Sequence, residues 1–197
     1  MAGDKSADVF VKIEEEARYY LKGDNLRIAL DLLSYLRESG RTWILSEHHP
    51  EFFYMGEMTC LFAFMKSALD EEALSAIRQI IEGAGNRFVY DSSSSWTLCC
   101  WQHEDDIYEL DSFPVNDDVK EYARANVWKC IGCHIGDGGC PTPGGTHRIV
   151  FGKEFDNACC NVFQLANPDE KELEHIKTLM ELEKHIIADR MENKCSE

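Results

Sequence analysis

Five of the nine cysteines in this 197-residue chain fall between positions 130 and 160. Over the same interval glycine and proline replace the apolar periodicity of the flanking sequence. A segment of this composition cannot hold a defined structure by burying apolar surface alone. Clustered cysteines in a reducing compartment, where disulfides are rare, are typical of metal binding or of thiol redox chemistry. The interval therefore predicts a small element that is held together by a metal ion.

The spacing of these cysteines favours a structural zinc site. Cys130 and Cys133 are separated by two residues, which lets both sulfurs reach one ion from a tight turn. Two further cysteines would complete the tetrahedral set of four thiolates that commonly holds structural zinc, with sulfur about 2.3 Å from the metal. The predicted zinc ligands are Cys130, Cys133, Cys140 and Cys159. Three residues stay open as alternatives for one of the four: His134, His147 and Cys160.

The same cysteines have three competing interpretations. They could be free buried thiols, because unpaired cysteine packs as a small hydrophobe. They could hold an iron–sulfur cluster, although their spacing matches neither of the common ferredoxin runs. They could form a redox C-x-x-C, but a reactive pair of that kind lies near a βαβ pattern, and here glycine-rich sequence follows Cys133.

The formal charge of −16 at pH 7 limits the partners of the chain. A charge of this sign repels phosphate, so nucleic acid and anionic membranes are excluded as expected partners. A basic protein surface, a cationic small molecule or a metal ion fits the charge better. The longest apolar stretch, residues 60–65, is far shorter than the span of about 20 residues that crosses a bilayer. Because the amino-terminal residues also lack an apolar signal-peptide core, we expect a cytoplasmic protein.

Apolar periodicity and end signals predict five helices. They cover residues 7–22, 25–39, 70–81, 116–123 and 167–190. In the last of them, Asn167 is the predicted N-cap, Pro168 the first helical residue and Glu170 the third residue after the cap. The chain beyond Met191 is predicted to fray.

Short runs of β-forming residues between these helices predict strands. Met55 and Gly56 join two of them in a hairpin, and the second run is apolar on both sides, which is typical of a central strand. Within 128–160 only one run resembles a strand. The predicted strands lie at 43–45, 52–54, 57–65, 87–90, 96–102 and 147–151.

The order of these elements predicts an α+β fold. It consists of a mainly antiparallel sheet with packed helices, a zinc-knuckle-like segment and a long final helix. Residues 1–118 are the predicted α+β body, and residues 119–197 are the predicted cysteine-rich metal-binding segment with the final helix, docked on the body as one globule. Because helix and strands alternate twice, with Cys60 and Cys99 in comparable strands, duplicated α-β-β units are one interpretation of the body.

Four stretches of the last third resemble an uncharacterised family of small bacterial proteins. They are the C-x-x-C after Trp128, CPTPG at 140–144, IVFGKEFDNAC at 149–159 and NPD at 167–169. The resemblance covers residues 119–187 and is loose in the first half of the chain. It implies that the family shares four of the cysteines, Cys130, Cys133, Cys140 and Cys159, and that Cys160 is an additional one. The resemblance implies no activity.

Two other groups of polar residues have plainer explanations than a site. Glu172 and His175 have the E-x-x-H spacing of di-iron helices, but Leu182 occupies the place of a second glutamate before His185, so a solvated helix face is favoured. The acidic loop at 103–106, together with the two histidines at 48–49, could offer oxygen and nitrogen ligands. Nothing in its spacing requires a metal, and solvated side chains are the favoured interpretation.

Aromatic residues with acidic neighbours suggest a binding pocket for an aromatic cation, because ring faces and carboxylates both attract positive charge. The competing and favoured interpretation is ordinary core packing, since large aromatic side chains bury most area. The residues concerned are Trp43, Tyr54, Trp96, Trp101 and Tyr108.

The sequence therefore predicts an intracellular zinc-binding protein, more specifically a non-enzymatic binding or interaction module for a protein or small-molecule partner. The alternative is a metal- or thiol-dependent enzyme, which requires an open coordination position or an activated cysteine such as Cys99 or Cys100. A further alternative is a binding module for small cationic or aromatic molecules. Because the chain has no nucleophile elbow, Walker loop or dinucleotide fingerprint, no catalytic residue is predicted.

Overall fold

The computed structural model describes residues 4–46, 50–64, 71–86, 95–100, 110, 113–131 and 144–194. These residues contain five helices and a seven-stranded antiparallel sheet, which confirms the predicted α+β fold with a long final helix. The helices are α1 (Asp4–Tyr20), α2 (Gly23–Glu38), α3 (Glu71–Gly83), α4 (Asp117–Ala125) and α5 (Glu170–Lys194). The strands are β1 (Thr42–Leu45), β2 (Pro50–Tyr54), β3 (Glu57–Phe64), β4 (Trp96–Cys100), β5 (Val127–Lys129), β6 (Thr146–Val150) and β7 (Lys153–Ala166).

The strand order places β7 at the centre of the carboxy-terminal part of the sheet. The main path runs β1-β2-β3-β4-β7-β5, and β6 also pairs with β7. Ala158 of β7 has two strand partners, Lys129 of β5 and Thr146 of β6. A strand has two edges, so the two partners of Ala158 lie on opposite sides of β7. Strand β5 therefore pairs along one edge of β7, and β6 and β4 pair one after the other along the opposite edge.

The prediction of a single strand within 128–160 is wrong, because β7 is 14 residues long and β5 precedes it. The apolar alternation of β7 is interrupted where it pairs with β5: Val127 pairs with Phe163 and Lys129 with Ala158, so two steps along β5 oppose five along β7. This irregularity spans residues 159–162 and contains Cys159. Such extra residues bend a strand and change the direction of its side chains.

Two tight turns build the hairpins of the sheet. Met55 and Gly56 have φ values of 51° and 86° and join β2 to β3, as predicted. Phe151 and Gly152, with φ values of 47° and 74°, join β6 to β7 in the same way. Positive φ at both turn residues is the two-residue connection whose twist matches that of antiparallel strands, and it favours glycine at the second position.

The main core lies between one face of the sheet and helices α1, α2 and α5. The apolar stripe of α1 is buried, whereas that of α2 is buried at Ala29, Leu33 and Leu36 but only half-buried at Leu26 and Leu30. Trp96 of β4 stacks on Phe62 of β3 with ring centroids 4.6 Å apart. This single buried cluster includes residues from both sides of position 118, such as Phe10 and Phe163. The division into a body and a metal-binding segment stays a prediction.

A buried ion pair that could not be predicted from the sequence joins the residue before β1 to α5. Arg41 and Glu183 have side chains that are 0% exposed, and a guanidinium nitrogen lies 3.9 Å from the carboxylate. Arg41 also donates to the Met180 carbonyl at 2.8 Å and to the Thr59 hydroxyl at 3.3 Å. These bonds offset part of the cost of removing the guanidinium from water, which otherwise amounts to several kcal/mol.

Helix α5 begins two residues later than predicted. Asp169 is the residue that caps it: its carboxylate accepts from the Glu172 N–H at 2.8 Å, and the Glu172 carboxylate accepts from the Asp169 N–H at 2.9 Å. This is the reciprocal capping pattern, so the prediction of Asn167 as N-cap is wrong. Asn167 has φ 44°, and its side-chain oxygen accepts from the Trp96 N–H at 3.0 Å, which joins β7 to β4.

The far end of α5 continues to Lys194, past the predicted fraying point at Met191. The helix has 25 residues, yet among the described helices none is both long and apolar enough to cross a membrane. The predicted strand at 87–90 and the predicted capping residue Asp70 lie outside the described residues.

Candidate metal centre

Two of the four predicted zinc ligands lie on, or directly after, neighbouring strands. Cys130 directly follows β5, and its backbone N–H donates to the Asn157 carbonyl of β7 at 2.8 Å. Cys159 is two residues beyond Asn157, which corresponds to about 7 Å along an extended strand. Cys133, Cys140 and the alternative ligand His134 lie outside the described residues.

Cys159 belongs to a small apolar cluster on the sheet, separate from the main core. Cys159 is 4% exposed and packs with Ile81 of α3 and Trp128 of β5, with Ile77 and Cys160 partly buried against them. Trp128 and Cys130 are two residues apart, a spacing that puts side chains on the same face of an extended chain. The sequence pattern therefore brings Cys130 to the face on which Cys159 is packed.

Helix α3 covers this cluster less completely than its sequence suggests. Ile81 is 4% exposed and Ile77 is half-buried, but Ile80, three residues after Ile77, is 56% exposed. The helix thus contacts the sheet through its carboxy-terminal turns. This contact places the end of α3 directly beside β5 and the candidate centre.

Cys159 and Cys160 have their sulfur atoms 4.0 Å apart. Neighbouring side chains of a regular strand point to opposite faces, so this approach reflects the irregular stretch of β7 in which both lie. Cys160 is half-buried. Its position beside Cys159 keeps it an alternative for the fourth thiolate.

Within the described part of the chain, no group of three or more His, Cys, Asp or Glu side chains is placed to hold a metal ion. With Cys133 and Cys140 outside that part, the four-cysteine site stays a prediction. The other described alternative, His147 of β6, has its Nδ1 3.4 Å from the Asp156 carboxylate. His147 therefore also stays an alternative for one of the four ligands.

The remaining described cysteines have environments that suppress thiol reactivity. Cys60 and Cys100 pair across β3 and β4 and face the main core. Burial raises the pKa of Cys60 to about 12 despite nearby Arg41, and it raises the pKa of Cys100 well above its ordinary value. Burial, followed by repulsion from Cys159 and Cys160, raises the pKa of Cys99 to about 12. Reactive cysteines have accessible, electropositive surroundings, and neither Cys99 nor Cys100 has them.

A glycine allows the chain before β6 to lie close to the backbone of β7. Gly145 has φ 78°, and a Cβ atom there would lie 2.6 Å from the Asn157 carbonyl oxygen and 2.9 Å from that of Ala158. Its neighbour Gly144 has φ 94° but no atom within 4 Å of such a Cβ. Both glycines have a positive φ, but the backbone contact of Gly145 cannot be predicted from the sequence.

Asn86, just after α3, is a second residue that sequence analysis does not single out. Its side-chain amide bonds to both backbone groups of Lys129, the residue before Cys130. A lone asparagine after a helix gives no sequence signal for such a contact, because the two residues are 43 positions apart.

The other predicted constellations have structural explanations where they are described. Glu172 caps α5, and the ring of His175 lies 5.2 Å from that of Tyr122, so both side chains have contacts within the fold. Trp96 is a fully buried core residue. Trp43 packs edge-on against Phe10 at 4.8 Å, and the ring of Tyr54 faces the Lys184 ammonium at 5.4 Å. The histidines at 48–49, the acidic loop at 103–106, Trp101 and Tyr108 lie outside the described residues.

No protein-family model matches the chain, and neither a curated protein nor a solved structure matches it significantly. The resemblance of the last third to a bacterial family therefore stays a prediction, carried by its cysteine motifs. The candidate centre rests on the geometry of this chain.

Proposed function

We propose that this chain is a zinc-binding protein in which Cys130, Cys133, Cys140 and Cys159 hold one structural Zn²⁺. The observation that carries the proposal is the pairing of β5 with β7. The Cys130 N–H donates to the Asn157 carbonyl at 2.8 Å, and Cys159 follows two residues later on the same strand. Two of the proposed ligands, 29 positions apart in sequence, therefore lie on, or directly after, adjacent strands.

The chemistry of the ligand set fits zinc. Four thiolates at about 2.3 Å satisfy its tetrahedral preference, and in such an arrangement the sulfurs are about 3.8 Å from one another. The chain between Cys133 and Cys140 is rich in glycine, which permits the tight turns that four converging sulfurs require. Binding would contribute on the order of 10 kcal/mol to the folding of a segment that buries little apolar surface.

The same ligand set favours a structural over a catalytic role. A closed four-cysteine site leaves no coordination position for water or substrate, whereas catalytic zinc keeps one open. The buried thiols of Cys99 and Cys100 also give no support to a thiol-dependent enzyme, since burial raises the pKa of both. We therefore propose a non-enzymatic binding or interaction module.

The partner of such a module is proposed from charge. A net charge of −16 attracts a basic protein surface or a cationic small molecule and accelerates encounter with it. It also makes association with nucleic acid or with an anionic membrane unfavourable.

The proposal is tested by zinc content per chain, measured by elemental analysis on protein purified without a metal-binding tag. The wild-type chain should carry one zinc. Cys130→Ser, Cys133→Ser, Cys140→Ser and Cys159→Ser should each lose it. Cys160→Ser is the matched control, because this half-buried neighbour of Cys159 lies 4.0 Å away, sulfur to sulfur, and should retain the metal.

Two results would reject the proposal in different ways. A wild-type chain without zinc, with all nine thiols titratable after unfolding and most of the five clustered ones before it, would exclude the metal site. Loss of zinc in Cys160→Ser, with retention in Cys159→Ser, would exclude the ligand set and assign the fourth thiolate to Cys160.

A further inference from the structure

The outer edge of β5 is closed by a side chain. Among the described strands, β5 stands at the end of the order and pairs with β7 alone. On its other side the Asn86 side-chain NH₂ donates to the Lys129 carbonyl at 2.9 Å, and the Lys129 N–H donates to the Asn86 side-chain oxygen at 2.7 Å. The amide of one side chain thus reproduces the two hydrogen bonds of a neighbouring strand.

The end of α3 presents this amide in a fixed orientation. The Gly85 N–H donates to the Glu82 carbonyl at 2.8 Å, and the Asn86 N–H donates to the Ile81 carbonyl at 3.0 Å. This pair of bonds, with Gly85 at φ 79°, is the Schellman ending of a helix. Because Ile81 is itself packed against Trp128, the helix end cannot shift without disturbing β5. Asn86 is only 8% exposed, so water competes poorly for its bonds.

Cys130 is therefore held from two directions. Asn86 fixes both backbone groups of Lys129, the residue immediately before it, and Asn157 accepts the N–H of Cys130 from the opposite strand. The peptide group that links Lys129 to Cys130 is shared between these two contacts. Its plane fixes the position of the Cys130 Cα atom, from which the ligand side chain leaves the backbone.

From this arrangement we infer that Asn86 is a positioning residue for the Cys130 thiolate and sets the zinc affinity of the site. The inference rests on the proposed function. A ligand held in place before the metal arrives loses less conformational freedom on binding, so the metal binds more tightly. Residues that orient metal ligands in this way typically change metal affinity by about 10- to 100-fold when replaced.

The test compares two asparagine variants that differ in what their amides hold. Asn86→Ala removes both bonds to Lys129, and Asn126→Ala removes an amide that donates to the Tyr122 carbonyl at 2.8 Å, at the other end of β5. Zinc affinity is measured by competition against a chromophoric chelator. The stability of each metal-free protein is measured by urea unfolding in the presence of excess chelator.

Asn86→Ala should bind zinc at least about 10-fold more weakly than wild type, whereas Asn126→Ala should stay within about two-fold, even if both lose similar stability. Asn86→Asp keeps the acceptor for the Lys129 N–H and should have intermediate affinity; it provides the measurement if Asn86→Ala does not fold. Equal zinc affinity in all the folded variants and wild type would overturn the role of Asn86 and leave the zinc site intact. Absence of zinc binding by the wild-type chain would instead reject the proposed function.

Discussion

Replacing Gly145 with alanine tests the close approach on which the geometry of β7 beside Cys159 depends. Two costs are expected. The first is the positive φ of 78°, which costs an L-residue about 1–2 kcal/mol. The second is steric: the new Cβ would lie 2.6 Å from the Asn157 carbonyl oxygen, and the backbone cannot move aside as a flexible side chain can. Overpacking of this kind costs about 1–3 kcal/mol, so the expected total is about 2–5 kcal/mol.

Gly144→Ala is the matched control for this prediction. Its φ of 94° brings a comparable conformational cost, but nothing lies within 4 Å of the new Cβ, so it should lose only about 1–2 kcal/mol. Both variants are compared with wild type by urea and thermal unfolding followed by circular dichroism. In a chain of this size each kcal/mol corresponds to about 2–4 °C in Tm. Equal losses in the two variants would refute the argument that Gly145 is required by its contact with β7.

Two further predictions concern ionisable side chains. Cys60 and Cys100 should not react with a disulfide reagent at pH 8 until the protein unfolds, because burial raises the pKa of both; rapid modification of either in the folded protein would contradict this. Burial opposes ionisation of Glu181, but hydrogen bonds from Tyr35 and Lys184 outweigh it and lower the pKa of this carboxyl below its usual 4.5. The stabilisation is therefore complete above pH 4.5 and is lost as the pH falls through the lowered pKa. Tyr35→Phe should reduce stability at pH 7 more than at pH 3, and a pH-independent loss in urea unfolding would refute the linkage.

The helices and one hairpin could be predicted because their signals are local. The stripes of α1 and α2 recur at three and four residues, and their buried residues follow that spacing. The Met55–Gly56 turn lies between two runs of β-forming residues, so the hairpin could be predicted from the sequence. In both cases the residues that determine the element are within it or next to it.

Strand β7 could not be predicted in the same way, although part of its signal is present. Phe151 and Gly152 form the same turn as Met55 and Gly56, but the apolar phenylalanine reads as a continuation of the preceding strand. The alternation that should follow is broken at 159–162, where the strand takes up extra residues. The pair Cys159–Cys160 is therefore predicted as loop, although it lies in the longest of the described strands.

The contacts around the candidate centre could not be predicted from the sequence, because they join residues that are far apart in the chain. Asn86 and Lys129 are 43 residues apart, and the same holds in the main core, where Arg41 and Met180 are 139 apart. Nothing in the composition of either neighbourhood indicates the partner. For the cysteines, the sequence predicts the set of ligands from spacing, and the fold adds the adjacency of β5 and β7.

The most direct test of the zinc site is X-ray absorption at the zinc edge on the metal-loaded wild-type chain. We expect four sulfur neighbours at about 2.3 Å and no lighter ligand. A shell that includes nitrogen or oxygen at about 2.0–2.2 Å would contradict the closed four-cysteine site, and would indicate a histidine in the ligand set or an open position occupied by water.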